Sequence, residues 1–277
     1  MISQSELDRV NRVAWNSADA ARVFTLDKTY SDLGEQAAFE WLAPRCAGEP
    51  LLDIGVGTGR TIPLMTAISN DYTGIDYTQK LLDMAKTRHP QRDLRHMDAR
   101  DMSTLQSGHY GLAEFSWNGI DCVDYSDRTK ILEEMYRVVR PGGYLLFSSH
   151  NRGGPGYQEN IWQLLPHFSV NPLKLGWRTL RSMRRFQLGT LNYVRNMKLN
   201  RDYGGYAVKT AAAHNFGIVI VYTTLPEQRR QLAQVGLHCD AVFGSTEGNR
   251  IDDDVDESDT WWFHFIAHKP FAASRFD

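Results

Sequence analysis

The stretch Leu51-Leu52-Asp53-Ile54-Gly55-Val56-Gly57-Thr58-Gly59-Arg60 decides the fold. A short apolar run of the kind found in buried parallel strands carries an acid near its end, and three glycines follow at alternate positions before Arg60 and Thr61 begin a helix. Glycines at such a turn let the backbone approach a ligand closely, and the unpaired N–H groups of the helix face the same ligand. The stretch therefore predicts a nucleotide-type site; a tight strand–helix connection without a ligand is the alternative.

The glycine spacing indicates which class of nucleotide is bound. The dinucleotide fingerprint is G-x-G-x-x-G, whereas the third glycine here, Gly59, comes one residue early and Arg60 takes its usual place. An acid at the end of the strand, Asp53, is also foreign to that fingerprint. The spacing therefore argues against a nicotinamide dinucleotide.

Strand and helix patterns alternate between residues 50 and 150. The second and third predicted strands end in an acid, Asp76 and Asp98, as the first one does. A helix capped by Thr78 separates these two strands, and a helix opened by Asp127 precedes the fifth strand. Units of this kind predict right-handed crossovers and a parallel sheet. After the first strand, we predict strands over residues 71–77, 93–98, 110–117 and 144–149.

The flanking segments carry further elements. Ser5 caps a first helix, and a second helix over 31–42 stops before Pro44. Pro226 starts a helix that Gly236 ends. Four more strands are predicted, two as a ribbon in an insertion and two as a closing pair, over residues 206–211, 216–222, 237–243 and 261–268.

These elements divide the chain into four parts. We predict a helical N-terminal arm over 1–45 and a cofactor-binding core over 46–151. An inserted substrate lid follows over 152–224, and residues 225–277 form the C-terminal part of the core.

The insertion carries a basic stripe along one side of a predicted helix, formed by Lys174, Arg178, Arg181 and Arg185. A solvated helix face, a lid that attracts an anionic substrate, and a surface for membrane contact or self-association are the alternatives. Near the C-terminus, six acids within residues 252–259 predict an exposed loop. Because that run contains no glycine for a sharp turn, it does not resemble a calcium loop.

Composition excludes several classes of protein. The 277 residues have a net charge of −2, so nothing global favours nucleic acid as a partner. The longest strongly apolar run, residues 216–222, is too short to cross a membrane, and the first twelve residues lack an apolar signal region. The three cysteines are widely spaced and fit a reducing compartment. We therefore expect a cytoplasmic protein, and formation of a homo-oligomer stays open.

Four motifs together resemble class I S-adenosylmethionine-dependent methyltransferases. They are a glycine motif, an acidic end of strand two, a stretch after strand three and a turn before strand five, at residues 51–59, 74–77, 98–101 and 137–143. The resemblance implies a Rossmann-like α/β fold with a seven-stranded sheet, mostly parallel with an antiparallel last strand. The segments Phe115–Asp121 and Ser148–Asn151 resemble a bacterial subgroup associated with small-molecule biosynthesis. The arm and the insertion lie outside the resemblance.

The resemblance implies S-adenosylmethionine as cofactor and assigns roles to the strand ends. Asp76 would accept both ribose hydroxyls, and Tyr77 would stack on adenine. Asp98 would accept from the adenine amino group, with the backbone of Ala99 nearby. The turn that contains Gly55, Gly57 and Gly59 would hold the amino-acid portion, with Asp53 behind it.

Ligands of parallel sheets lie beyond the carboxyl ends of the strands, which places two further segments around the methyl donor. Ser116 and Trp117 are predicted to contact the cofactor, and His150 is the first candidate for a general base because its usual pKa lies near neutrality. Asp121 is the second catalytic candidate, ahead of Tyr157 and His214. The predicted acceptor-binding residues are Asn118, Asn151, Tyr157 and His214.

The sequence predicts no metal centre. The histidines do not pair at metal-ligand spacing, apart from His264 and His268, which would share one face of a strand but lie too far apart. Methyl transfer is an in-line displacement that needs alignment and a base only for a protonated nucleophile.

We therefore predict a methyltransferase that modifies an oxygen or nitrogen of a small metabolite or sugar in biosynthesis. Two alternatives are an enzyme that uses the same cofactor for other chemistry, such as its cyclisation, and a non-catalytic protein that binds it.

Overall fold

A seven-stranded sheet forms the core of the computed structural model, which describes residues 5–17, 30–164, 172–252 and 259–271, without the side chains of 172–181 and 184. The strand order is β3-β2-β1-β4-β5-β10-β9. The first five strands run parallel, and β10 pairs antiparallel with β5 and β9. This arrangement confirms the predicted Rossmann-like sheet. The strands are β1 Leu51–Ile54, β2 Tyr72–Asp76, β3 Asp93–His96, β4 Tyr110–Phe115, β5 Val139–His150, β9 His238–Gly244 and β10 Trp262–His268.

Helices cover both faces of this sheet. The apolar side chains of α2, α3 and α4 form one buried cluster with Leu51, and those of α5 and α7 form another with Leu52. Neighbouring residues of a strand point to opposite faces, so both faces of β1 are buried and the strand reads as a continuous apolar run. The helices are α1 Glu6–Trp15, α2 Leu33–Cys46, α3 Ile62–Ile68, α4 Gln79–Arg88, α5 Tyr125–Val138, α6 Pro172–Asn196 and α7 Leu225–Val235.

Several predicted boundaries differ from the structure, and two of them differ for a clear physical reason. The second helix begins one residue after Asp32, whose carboxylate accepts from the Glu35 N–H at 2.9 Å, and it continues through Pro44. Proline in the last turn removes only the bond to the Glu40 carbonyl, and Glu40 is exposed to water. The fifth strand begins directly after α5 at Val139, because residues 139–143 join the ladder through a register irregularity.

The insertion after β5 builds a small sheet of its own, of order β6-β7-β8. The predicted ribbon is thereby confirmed, with a third, two-residue strand at its edge. The backbone of Thr223 ties this sheet to the end of β5, where its carbonyl accepts from the Arg152 N–H at 3.0 Å. The strands are β6 Arg201–Asp202, β7 Tyr206–Ala211 and β8 Ile218–Thr223.

Short helical turns complete the described part of the fold, and some predictions fall outside it. No helix among the described residues is long and apolar enough to cross a membrane. Most of the predicted acidic loop, residues 253–258, lies outside the described residues, as do the side chains of Lys174, Arg178 and Arg181. The backbone turns are Gly119–Cys122, Pro155–Gln158, Ile161–Leu164, Met197–Leu199 and the one-turn segment Ala213–Phe216.

Candidate functional site

A crevice opens at the carboxyl ends of β1, β2 and β4, where parallel sheets bind their ligands. The glycine turn after β1, the end of β2 with the start of α4, and the segment after β4 form its walls. Apolar side chains from several elements, among them Leu81, Met97 and Phe115, contribute to the lining. Of the predicted cofactor residues, those that line the crevice are Gly55, Gly57, Asp76, Tyr77, Ala99, Ser116 and Trp117.

The glycine turn is shaped for close approach to neighbouring groups. Gly55 has a φ of +69°, and a Cβ there would lie 2.6 Å from the Phe115 ring. Gly57 has a φ of +56°, and its N–H donates to Asp76 Oδ2 at 2.8 Å. Gly59 lies outside the lining and packs against the His89 ring. The turn is therefore fixed to both the sheet below it and the acid opposite it.

Asp76 ends β2 with both carboxylate oxygens held by backbone groups. Besides the bond from Gly57, Oδ1 accepts from the Thr78 N–H at 2.6 Å. Burial raises the pKa of Asp76, and the N–H groups of Thr78 and Gly57 act against that rise. Because each oxygen has a second lone pair, the carboxylate keeps acceptor capacity toward the crevice.

Asp53 lies beneath the turn and outside the lining of the crevice. It is completely buried, and its Oδ2 accepts from the Thr61 hydroxyl at 2.6 Å and from the Tyr72 hydroxyl at 2.7 Å. Glu114 on β4 is its partner in register and is equally buried. We expected Asp53 behind the amino-acid portion of a cofactor. Its hydrogen bonds show that it supports the glycine turn from inside the core.

Asp53 and Glu114 form a carboxyl pair in the core. Asp53 Oδ1 and Glu114 Oε2 have no other acceptor or donor among the described residues, while the two carboxyl groups bond each other. Burial, together with the charge of Asp53, raises the pKa of Glu114 well above its usual range. The charge of one carboxyl group disfavours ionisation of the other, which is the direction of the pKa shift at Glu114.

Asp98 faces two arginines instead of lining the crevice. Its Oδ1 and Oδ2 accept from Arg100 at 3.0 and 2.8 Å, and Oδ2 also bonds Arg12 of the arm helix. Burial acts against ionisation, but the hydrogen bonds and charges of Arg100 and Arg12 lower the pKa of Asp98 to about 2. Asp98 thus forms an ionic link between the core and the arm, and its contact with adenine stays a prediction.

The arm helix α1 lies against the crevice. The Arg12 guanidinium covers one face of the Tyr77 ring, 4.2 Å from its centre, and Trp15 contributes to the lining. Asp8 reinforces the link, because it accepts from Arg12 at 3.1 Å and from Arg100 at 3.3 Å. The arm thus closes one side of the crevice through ionic contacts.

A histidine–aspartate dyad stands beside the crevice. Asp121 Oδ2 lies 2.7 Å from His150 Nδ1 and also accepts from the His150 backbone N–H at 2.7 Å. Asp121 is completely buried, and its Oδ1 accepts from Arg128 and, at 2.9 Å, from the Ser149 hydroxyl. Because Asp121 Oδ2 is an acceptor, it holds the His150 proton on Nδ1, and Nε2 is left as an acceptor. The structure therefore joins the two predicted catalytic residues.

The dyad is one side chain away from the crevice wall. His150 Nε2 lies 3.5 Å from Asn118 Nδ2, and Asn118 follows Trp117, which lines the crevice. Both residues have left-handed backbone, with φ of 49° for Trp117 and 56° for Asn118, a strained conformation that clusters at functional sites. The Tyr222 ring, 5.3 Å from the His150 ring, brings the insertion against the dyad.

The other predicted acceptor-binding residues take three different positions. Tyr157 packs edge-on against Tyr222 at 5.3 Å, close to the dyad. Asn151 is buried, and its amide donates to the Thr260 carbonyl at 3.1 Å and accepts from the Gly153 N–H at 2.8 Å. His214 lies edge-on to Trp15 at 5.0 Å and lines a second cavity between α1 and α6. Only Tyr157 and Asn118 are therefore grouped with His150.

Sequence reasoning missed three residues that support this site through contacts with its acidic side chains. Arg128 is completely buried and reads in the sequence as an ordinary polar position of an amphipathic helix. Glu114 sits inside an apolar strand, and that position was the signal that could have identified it. No sequence signal identified Arg12, because its partner Asp98 lies 86 residues away.

The chain resembles known proteins in both sequence and fold. The methyltransferase domain family matches residues 52–147. A probable S-adenosylmethionine-dependent methyltransferase of Mycolicibacterium smegmatis is 26% identical over 150 residues, 50% of this chain and 55% of that protein. A ubiquinone biosynthesis O-methyltransferase of Bordetella avium is 26% identical over 184 residues, 60% of this chain and 71% of that protein. The chain thus spans about half the length of the first relative.

A solved structure extends the likeness to the whole chain. The 1,6-didemethyltoxoflavin-N1-methyltransferase of Burkholderia thailandensis, crystallised with 1,6-didemethyltoxoflavin and S-adenosylhomocysteine, aligns with a TM-score of 0.59. The alignment covers 98% of this chain and 92% of that one, at 11% identity. At this identity the likeness shows the fold alone.

Proposed function

We propose that this chain, which belongs to the class I S-adenosylmethionine-dependent methyltransferases, transfers a methyl group to a hydroxyl oxygen of a small molecule. The observation that carries the proposal is the His150–Asp121 dyad beside the wall of the crevice. A positioned base is needed when the nucleophile arrives protonated, as a hydroxyl does. The O-methyltransferase of Bordetella avium is one relative with an oxygen acceptor in its name.

The residues of the crevice fit S-adenosylmethionine. Asp76 offers a carboxylate with free lone pairs, which suits the ribose diol. Met97, Leu81 and Phe115 offer apolar walls for a flat base, with Tyr77 at the edge. When bound, S-adenosylmethionine supplies an electrophilic methyl group on a sulfonium. A phosphate-binding lysine is neither needed nor present in the glycine turn.

The chain contributes alignment and a proton acceptor. Trp117 and Asn118 would hold the acceptor between the crevice and the dyad, with Tyr222 and Tyr157 on its far side. His150 Nε2 would take the proton of the acceptor hydroxyl as its oxygen receives the methyl group, and the cofactor would leave as the thioether S-adenosylhomocysteine. Asp121 stabilises the imidazolium that results. The aromatic rings around the bound acceptor would exclude water from the reacting atoms.

Incubation of the purified chain with S-adenosylmethionine and a panel of hydroxyl, amine and carboxylate acceptors tests the proposal, with products identified by mass spectrometry. We expect S-adenosylhomocysteine and a methyl ether in equal amounts, with hydroxyl compounds as the best acceptors. Methylthioadenosine without S-adenosylhomocysteine would assign cyclisation of the cofactor instead. Binding of the cofactor without turnover of any acceptor would favour a non-catalytic role.

Because the arm closes one side of the crevice, we expect it to slow the release of the cofactor. Arg12→Ala removes the guanidinium from Tyr77 and the link to Asp98, so we expect the dissociation rate of S-adenosylhomocysteine to rise about tenfold. Stopped-flow fluorescence measures this rate. Arg9→Ala is the matched control, because Arg9 is an exposed arginine of the same helix. Equal dissociation rates for wild type and Arg12→Ala would contradict a closing role of the arm.

A further inference from the structure

A cluster of two histidines and an aspartate lies on the last two strands of the large sheet, β10 and the edge strand β9. His238 begins β9 and is the register partner of His268, which ends β10. The register shifts between Ile266 and Ala267, and Asp240 is the residue of β9 left without a partner there. A bulge residue of this kind has its side chain re-aimed, and Asp240 reaches both imidazoles.

The cluster is separate from the crevice. His268 pairs with Tyr144, while His150 of the dyad pairs with Trp262 at the other end of the same two strands. Six residue steps along a strand correspond to about 20 Å. The cluster therefore has no part in the proposed methyl transfer.

The spacing of the donor atoms suits a tetrahedral metal ion. His268 Nδ1 lies 2.8 and 2.9 Å from the two oxygens of Asp240, and His238 Nδ1 lies 3.3 Å from Oδ1. One donor atom from each of the three residues lies within 4.8 Å of the others. Ligands about 2.0–2.1 Å from a tetrahedral ion are about 3.3 Å apart. A shift of roughly half an ångström at His268 therefore creates room for the ion.

The donor set and its exposure indicate which ion would bind. Two imidazole nitrogens and one carboxylate oxygen suit Zn²⁺, whereas Mg²⁺ and Ca²⁺ prefer oxygen ligands throughout. The side chain of His238 is 67% exposed and that of His268 is 30% exposed, so water has access to a fourth position. Arg250 donates to the backbone carbonyl of Asp240 at 2.8 Å, so the site also has a basic side chain close by.

We propose that His238, Asp240 and His268 bind one Zn²⁺ ion, which clips the edge strand β9 to β10. An edge strand has backbone groups without a partner and gains from any link to its neighbour. In the metal-free state Asp240 accepts from the two imidazoles and holds them in place. Sequence reasoning did not identify this site, because His268 follows His238 by 30 positions and the ligand spacing arises only through strand pairing.

Titration of the untagged, metal-free chain with ZnCl₂ in a calorimeter tests the proposal. We expect one ion per chain and an increase in Tm at saturation, because only the folded state holds the three ligands together. Loss of an outer-shell partner already weakens metal sites 10–100-fold, so His268→Ala and Asp240→Asn should each weaken binding by about 100-fold or more. Co²⁺ should give the visible absorption of a four-coordinate site.

His109→Ala is the matched control, because it removes an exposed histidine elsewhere on the surface and should leave Zn²⁺ binding unchanged. Circular dichroism of each variant shows whether it folds. Absence of a one-to-one binding event, or the same affinity in His268→Ala and Asp240→Asn as in wild type, would overturn the proposal. In that case the cluster is a hydrogen-bonded trio that needs no ion. Methyl transfer does not enter this test, so its outcome is independent of the proposed function.

Discussion

Replacing His150 with alanine is expected to lower kcat for a hydroxyl acceptor about 1,000-fold, with an unchanged affinity for S-adenosylhomocysteine. In the proposed mechanism the imidazole takes the proton, and its Nε2 faces Asn118 instead of the cofactor crevice. The variant should also fold, because the His150 side chain keeps 22% of its surface exposed and its loss leaves the Arg128–Asp121 pair intact. Turnover and calorimetry with the same preparation separate the two quantities.

Added imidazole distinguishes a base from a structural histidine. Free imidazole can occupy the space left in His150→Ala and accept the proton, so we expect part of the lost kcat to return in a concentration-dependent way. His109→Ala, which removes an exposed histidine outside the site, should keep full activity. An unchanged kcat in His150→Ala would eliminate the dyad from the mechanism. A loss without any rescue, together with a lower Tm, would give His150 a structural part only.

Asp121 is a positioning residue, and its replacement has two effects. Asp121→Asn removes the charge that selects the His150 tautomer, but it also leaves Arg128 in the core without a carboxylate. Sequence reasoning could place Asp121 near His150, but it could not identify Arg128 as the residue that pairs with Asp121 in the core. Its position after β4 follows from the strand pattern, whereas Arg128 reaches it from α5 through the tertiary packing.

The sheet was predictable because its strands carry local information. Continuous apolar runs, acids at their ends and a glycine turn specify parallel strands and the side of the sheet where a ligand binds. The carboxyl ends of β1, β2 and β4 then bring Gly57, Asp76 and Trp117 into one crevice. Residues at these strand ends therefore line one crevice, as the strand pattern predicts.

Side chains whose partners come from distant segments were not predictable. Asp98 stands at a strand end like Asp76, yet the arm supplies Arg12 and turns it into an ionic link. Asp53 was expected behind the amino-acid portion of the cofactor, and Glu114 of the neighbouring strand β4 places it in a buried carboxyl pair. In both cases the competing partner lies more than sixty residues away, and the sequence alone gives no measure of that approach.

Asp76→Asn is expected to weaken binding of S-adenosylhomocysteine at least about 100-fold. A carboxylate that accepts from two ribose hydroxyls makes two charge-assisted bonds, each worth about 1.5–3 kcal/mol. The amide keeps the size of the side chain but has one acceptor oxygen, and its NH₂ group meets a backbone N–H of the turn. Calorimetric titration measures the affinity, and Asp83→Asn, at an exposed acid of α4, should bind like wild type.

A deoxyribose analogue of the ligand decides whether the loss comes from the ribose contact or from the turn. If Asp76 accepts from the diol, wild type should bind S-adenosylhomocysteine much more tightly than the analogue, and Asp76→Asn should bind both about equally. A variant that is weakened but still prefers the diol would show that Asp76 acts through Gly57 and the shape of the turn. If wild type binds both ligands with equal affinity, the Asp76 carboxylate does not contact the ribose hydroxyls. Because neither comparison depends on the acceptor, the assignment of the cofactor site can fail while methyl transfer stands.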